Sequence, residues 1–159
     1  MKMINWRKID KTSELEVKNT EDKLGIKLPQ DLYTLILNYN HGRPDKFLFD
    51  TKNSKEHVLG TLLNFNSDTK HSDNVITVYD AIKNQLSENV YPFASDPAGN
   101  FICFLLIENE IKGIYYWKHE EEFDIENRKI RNINNGIFSN MEFLSPSLKI
   151  FLENLYSPE

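Results

Sequence analysis

The stretch from Tyr91 to His119 constrains the fold more than any other part of the chain. Three apolar runs, Tyr91–Ser95, Phe101–Ile107 and Gly113–His119, are divided by the turn-forming residues Pro97-Ala98-Gly99-Asn100 and Glu108-Asn109-Glu110. Short runs rich in aromatic and branched side chains, separated by such turns, form antiparallel meanders. In the middle run both alternating sets are apolar, Phe101/Cys103/Leu105/Ile107 and Ile102/Phe104/Leu106. Successive side chains of a strand point to opposite faces, so this strand needs cover on both sides and belongs at the centre of its sheet.

Helical patterns elsewhere supply that cover. Ser13 followed by Glu16 has the spacing of a capping box, and Val17, Thr20, Glu21 and Leu24 recur at helical spacing before Gly25, which predicts a helix over 14–24. Pro29 suits the first turn of a second helix, whose apolar stripe Leu32, Leu35, Ile36 and Tyr39 ends near Asn40, before Gly42. Asp73 is the expected cap of a third helix through Val75, Val78, Tyr79, Ile82 and Leu86. Ser145-Pro146 reads as the N-cap and first-turn proline of a last helix through Leu148, Phe151, Leu152 and Leu155. Phe47–Phe49 and Leu59–Phe65 read as short strands, and Ile130–Ile133 as one more. The expected class is α+β: a single domain over residues 1–159, with a central antiparallel sheet flanked by N-terminal helices, a middle helix and a C-terminal helix.

Composition narrows the function classes. A chain of 159 residues, 40% hydrophobic and 27% charged, has ample material for one core. Met1–Asp10 contain no apolar stretch of signal-peptide length, and the longest apolar run, Phe101–Ile107, falls far short of the roughly 20 residues that span a bilayer. The expectation is a cytoplasmic protein with no membrane association. The lone Cys103 rules out an intrachain disulfide and any paired-cysteine metal motif, and its place in an apolar run reads as a small buried hydrophobe. A formal charge of −5 disfavours direct nucleic-acid binding, which needs a positive face, and favours a basic partner.

No phosphate-binding glycine loop, nucleophile elbow, H-E-x-x-H or dinucleotide fingerprint occurs. The histidines, His41, His57, His71 and His119, are scattered. A Cys103/His119 nucleophilic pair would need an accessible, activated thiol on the central strand. His71 with Asp73, or His119 with Glu120 and Asp96, could ligate a metal only if folding gathered three or four ligands; turn capping and solvation explain them more simply. The reading is therefore of no enzyme, no cofactor and no metal. A binding surface is better supported. The run Glu120, Glu121, Glu122, Asp124 and Glu126 follows directly on Tyr115-Tyr116-Trp117, so that acidic groups beside an exposed aromatic offer a charged rim and an anchor for a basic protein. The alternative packs Trp117 into the core and leaves the run as a solvated loop. With the turn residues Asp96 and Asn100 and with His119, these loops are the candidate partner-binding site.

Several segments together resemble the SUKH superfamily, which includes bacterial immunity proteins and a yeast regulator of cell-wall assembly. They are Leu24-Gly25-Ile26-Lys27-Leu28-Pro29-Gln30-Asp31-Leu32-Tyr33 leading to Asn38-Tyr39-Asn40-His41-Gly42; Tyr91 to Asn100 running into Phe101-Ile102-Cys103-Phe104; Ile114 to Glu120; and the closing Ser147 to Leu155. His41 stands where the family often has glycine, Leu105 where an acidic residue is frequent, and Lys118 in place of a common Asp. The resemblance implies an antiparallel sheet flanked by helices and an immunity protein against a polymorphic toxin, of the kind paired with LXG-type nuclease toxins. The alternative it leaves is a cellular scaffold or regulator with several protein partners. A third reading, from the residues alone, is a hydrolase or small-ligand binder at Asp96, Asn100 and His119.

Overall fold

The computed structural model describes residues 3–119, 132–133, 137–138 and 140–159. In chain order the elements are β1 (Trp6–Arg7), α1 (Glu14–Leu24), α2 (Gln30–Tyr39), β2 (Arg43–Pro44), β3 (Leu48–Phe49), β4 (His57–Val58), β5 (Thr61–Leu62), α3 (Val75–Ile82) with a 3-10 turn at Lys83–Gln85, β6 (Val90–Ser95), β7 (Phe101–Ile107), β8 (Glu110–Trp117), β9 (Asn132–Ile133), β10 (Ile137–Phe138), β11 (Met141–Ser145) and α4 (Leu148–Glu153). The architecture is α+β, as the apolar patterning predicts.

The main sheet is antiparallel with strand order β11-β8-β7-β6-β5, so the doubly apolar strand β7 is its centre. The core lies around it: Ile102, Cys103, Phe104, Phe93, Ala94, Ile114 and Tyr116 are buried, and Phe93 and Phe49 each make an edge-on contact with Phe151 of α4. The hairpin between β7 and β8 turns on Glu108 and Asn109, both at positive φ (52° and 65°), as a two-residue loop matched to strand twist requires. That is why β8 begins at Glu110 rather than at Gly113: Glu110 and Lys112 are polar and solvent-facing, and only the turn shows that this stretch pairs.

Helix starts follow side-chain capping. Ser13 accepts a hydrogen bond from the Glu16 amide at 3.2 Å, and α1 ends at Gly25 with φ 75°, the left-handed conformation that glycine adopts without penalty. Three expected caps move. Pro29 stays extended just outside α2, which starts at Gln30. Asn74, not Asp73, caps α3, accepting from the Ile76 amide at 2.9 Å. Ser147, not Ser145, caps α4, because Ser145 is the last residue of β11. The β11 strand has no counterpart in the sequence reading, since the alternation Met141-Glu142-Phe143 is broken at once by Leu144. Of the expected run Leu59–Phe65 only Thr61–Leu62 forms strand, although Gly60 and Leu63 still donate to the Ser95 and Phe93 carbonyls at 2.7 and 2.9 Å. Of Ile130–Ile133, Asn132–Ile133 form β9 and the first two residues lie outside the described set.

The helices are tied to the sheet through buried asparagines. The Asn40 side chain follows α2, donates to the Asp10 carbonyl (2.9 Å) and to Asn64 Oδ1 (3.1 Å), and accepts from the Phe65 amide (2.8 Å). Asn64 donates to the Asp10 carboxylate at 2.8 Å and accepts from the Asn66 amide at 2.9 Å. Asn64 and Asn74 also pair through backbone, and Asn74 donates to the Asn66 and Asp68 carbonyls at 2.6 and 3.0 Å. His41 follows Asn40 with φ 61°, the left-handed region where the resembling proteins often have glycine, and its ring meets the Asp73 carboxylate.

Removing the Asn40 side chain takes the partner from the buried Phe65 amide and from the Asp10 carbonyl, and leaves Asn64 Oδ1 with the Asn66 amide alone. Asn40→Ala is expected to lower unfolding free energy by about 2–3 kcal/mol, against about 1 kcal/mol for loss of the exposed cap in Ser13→Ala. Urea titration of the two variants checks the order.

Candidate partner-binding surface at the strand ends

The register Ser95↔Phe101, Phe101↔Trp117 and Trp117↔Met141 places the residues that follow β6, precede β7, follow β8 and precede β11 at one end of the sheet. Asp96, Asn100, Lys118, His119 and Asn140 meet there, with Lys118 donating its amide to the Asn140 carbonyl at 2.9 Å. The turn itself is local chemistry. Asp96 accepts from the Ala98 amide through its side chain at 2.7 Å and from the Gly99 amide through its carbonyl at 3.0 Å. Gly99 has φ 94°, a backbone conformation that other residues rarely adopt, and a Cβ there would lie 3.1 Å from the His119 ring, close enough that the ring would have to shift.

A polar chain links the two candidate loops. The Tyr116 hydroxyl donates to the other Asp96 oxygen and accepts from the Asn100 amide group at 2.8 Å. Asn100 Oδ1 in turn accepts from the His119 backbone amide at 2.9 Å and faces His119 Nδ1 at 2.7 Å, which places the proton of that ring nitrogen on Nδ1. Tyr116 is 2% exposed, and burial together with the Asp96 carboxylate pushes its phenol well above the usual tyrosine range. Around it pack the Phe49 and His57 rings, at 5.4 and 5.0 Å, and Glu142 is its cross-strand neighbour. Glu142 Oε1 is buried and, among the described residues, has no hydrogen-bond partner.

Of the sequence-derived site residues, the fold brings Asp96, Asn100 and His119 together in this chain. Asp96 is 7% exposed and spends its polar atoms holding the turn, while His119 is open to solvent. Trp117 is 4% exposed and stacks on Phe101 with ring centroids 5.9 Å apart. The indole is thus packed rather than presented as a surface anchor, because β8 turns it toward its cross-strand neighbour. Glu120, Glu121, Glu122 and Asp124 lie outside the described residues. The residue that sequence reading missed is Tyr116: it is the hub of the network, and its only signal was a hydroxyl-bearing aromatic two places from Ile114 on the same strand face.

The arrangement orients loops; it does not activate a nucleophile. Cys103 is fully buried, and burial pushes its thiol up, the opposite of what a reactive cysteine requires. Among the described residues no three His, Cys, Asp or Glu side chains are grouped so as to hold a metal ion, and no helix is long and apolar enough to cross a membrane.

The SMI1-KNR4 cell-wall family SUKH_6 matches residues 14–132, from the first helix through the meander. The chain belongs to this SUKH family. Proteins of the family are known as immunity-type proteins and are generally non-catalytic. No curated protein matches the chain.

Tyr116 gives the strand end a pH dependence with a definite sign. The folded state raises the Tyr116 phenol above its unfolded value of about 10, so the contribution is fully present below that pH and is lost as pH rises through the folded value. Tyr116→Phe is expected to cost on the order of 1–3 kcal/mol near neutral pH, by leaving the buried Asp96 oxygen without its donor, and to flatten the alkaline loss of stability. Chemical denaturation between pH 7 and pH 11 measures both effects (about the span where a phenol titrates).

Proposed function

We propose that this protein is an immunity protein that binds a cognate toxin of a polymorphic toxin system and neutralises it by occluding the toxin's active or substrate-binding surface. SUKH family membership over residues 14–132 carries the reading. The partner is taken to be a basic nuclease domain of the LXG-type class, since a chain of net charge −5 is steered toward positive surfaces. Neutralisation occurs in the cytoplasm, needs no cofactor and involves no turnover, and residues 1–159 act as one domain in which, beyond the matched stretch, β11 completes the sheet and α4 packs against it.

The docking surface is placed at the strand ends. Asp96, Asn100 and His119 fix one loop against the other, and the following acidic residues Glu120, Glu121, Glu122 and Asp124 supply charge. A specific interface buries about 800 Å² per partner, so a sheet face or helix must join these loops. Trp117 acts from within, by holding the end of β8 against Phe101.

Co-expression with the product of the adjacent upstream gene tests the reading. Rescue of growth, with about 1:1 stoichiometric inhibition by the purified protein, is the expected result; absence of rescue and of binding refutes it. Paired charge reversal, Glu120→Lys with Glu122→Lys, is expected to weaken toxin affinity in a protein that still folds, and unchanged affinity would remove those loops from the interface. Cys103→Ala, His119→Ala and Asp96→Asn, made singly, are expected to retain stoichiometric inhibition. A rim contact is worth under about 1 kcal/mol, and the cysteine change costs on the order of 1 kcal/mol of stability through packing, whereas loss of a nucleophile would abolish activity.

A further inference from the structure

A second surface, away from the strand-end network, has the makings of a binding site. Between α2, α4 and the N-terminal segment lies an open groove of about 840 Å³, within the range of about 300–1,000 Å³ common for ligand clefts. Its apolar lining is Ile4, Trp6, Leu35, Tyr39, Leu148 and Leu152. Trp6 stacks on Tyr39 with centroids 5.8 Å apart, and Tyr39 remains exposed. The Trp6 strand is pinned from beneath by its pairing with Pro44 and by Lys46, whose ammonium donates to the Met3 carbonyl at 2.6 Å. An aromatic pair on a braced strand facing two helices presents large contact area at little cost in side-chain entropy.

The charges on the rim select what can lie there. Asp31 and Glu153 stand against a single Lys149, and none of the three makes an ion pair among the described residues. Asp31 only accepts from the neighbouring Leu32 amide at 2.8 Å. Past Gln30, which lines both hollows, the surface continues with Glu14, Glu21 and Asp22 against Lys18 and Lys27. The excess is acidic throughout. Such a rim repels nucleic-acid phosphates and anionic lipid, and complements Lys or Arg flanking apolar side chains.

We infer that this groove captures a basic amphipathic segment of a protein partner, its apolar side chains on the Trp6–Tyr39 and Leu152 floor and its cations on Asp31 and Glu153. The inference rests on the reading of the chain as a protein-binding domain and adds a surface to it. The probe is a fluorescent Leu/Lys amphipathic helical peptide, with its Leu/Glu counterpart as the control, titrated into the full chain. The chain has two tryptophans, so the two indole N–H resonances report separately on the groove (Trp6) and on the sheet (Trp117). Saturable binding of the Leu/Lys peptide that shifts the Trp6 resonance and leaves Trp117 in place is expected. Affinity should fall by at least about tenfold in Leu152→Arg, equivalent to about 1.4 kcal/mol, and by several-fold, with a weaker salt dependence, in the surface double variant Asp31→Asn/Glu153→Gln. Circular dichroism confirms that each variant is folded; the double variant leaves the apolar floor intact and so decides the matter if Leu152→Arg does not fold. No binding, equal binding of the Leu/Glu peptide, a shift of Trp117 without Trp6, or affinity unchanged in the folded variants each overturns the inference. Because these measurements contain no toxin, failure of growth rescue would remove the immunity reading and leave the groove result standing.

Discussion

The rest of the structure hangs on the buried Asn40 side chain. Its amide spans the end of α2, the Asp10 segment between β1 and α1, and the Asn64–Phe65 segment leading out of β5, three pieces of chain that share no regular secondary structure. Backbone groups in such junctions must find partners away from water, and each one left unmade costs more than an average hydrogen bond contributes. Asn64 and Asn74 extend the same solution to the start of α3, so the helical layer is registered to the sheet by side-chain amides rather than by apolar packing alone. Apolar contacts supply most of the driving force but tolerate sliding; a satisfied amide network does not.

The second network, Asp96–Tyr116–Asn100–His119, works in the same way at the strand end. It converts a four-residue turn and the residues following β8 into one rigid feature, with Gly99 at positive φ lying close against the His119 ring. Rigid loops on a rigid sheet suit recognition, because little conformational entropy is lost on docking. The buried Cys103 beneath shows the contrast with a catalytic centre: its surroundings suppress ionisation, and the polar groups above it are spent on each other.

The two surfaces are chemically distinct. The strand-end loops are polar and turn-bound, whereas the α2–α4 groove is aromatic and aliphatic with an acidic margin. The first is specified by hydrogen-bonding geometry and the second by apolar area.

The sequence by itself determined the meander, the central place of Phe101–Ile107, the capped start of α1 and the apolar stripes of α2 to α4, because local periodicity and turn chemistry encode those directly. It also carried the family, through the ordered segments from Leu24 to Leu155. Tertiary structure alone decided which polar residues matter. Asn40, Asn64 and Asn74 look like ordinary turn asparagines until residues far apart in the chain converge on them. Strand β11 became a strand because β8 offered it an open edge. For Trp117 the sequence left open an exposed anchor beside an acidic run or a place in the core, and cross-strand pairing with Phe101 decided for the core. The groove had no sequence signature at all, since Trp6, Leu35, Tyr39 and Leu152 acquire a common function only when α2, α4 and the N-terminal segment are packed side by side. Local patterns are set by neighbours along the chain; sites are set by neighbours in space.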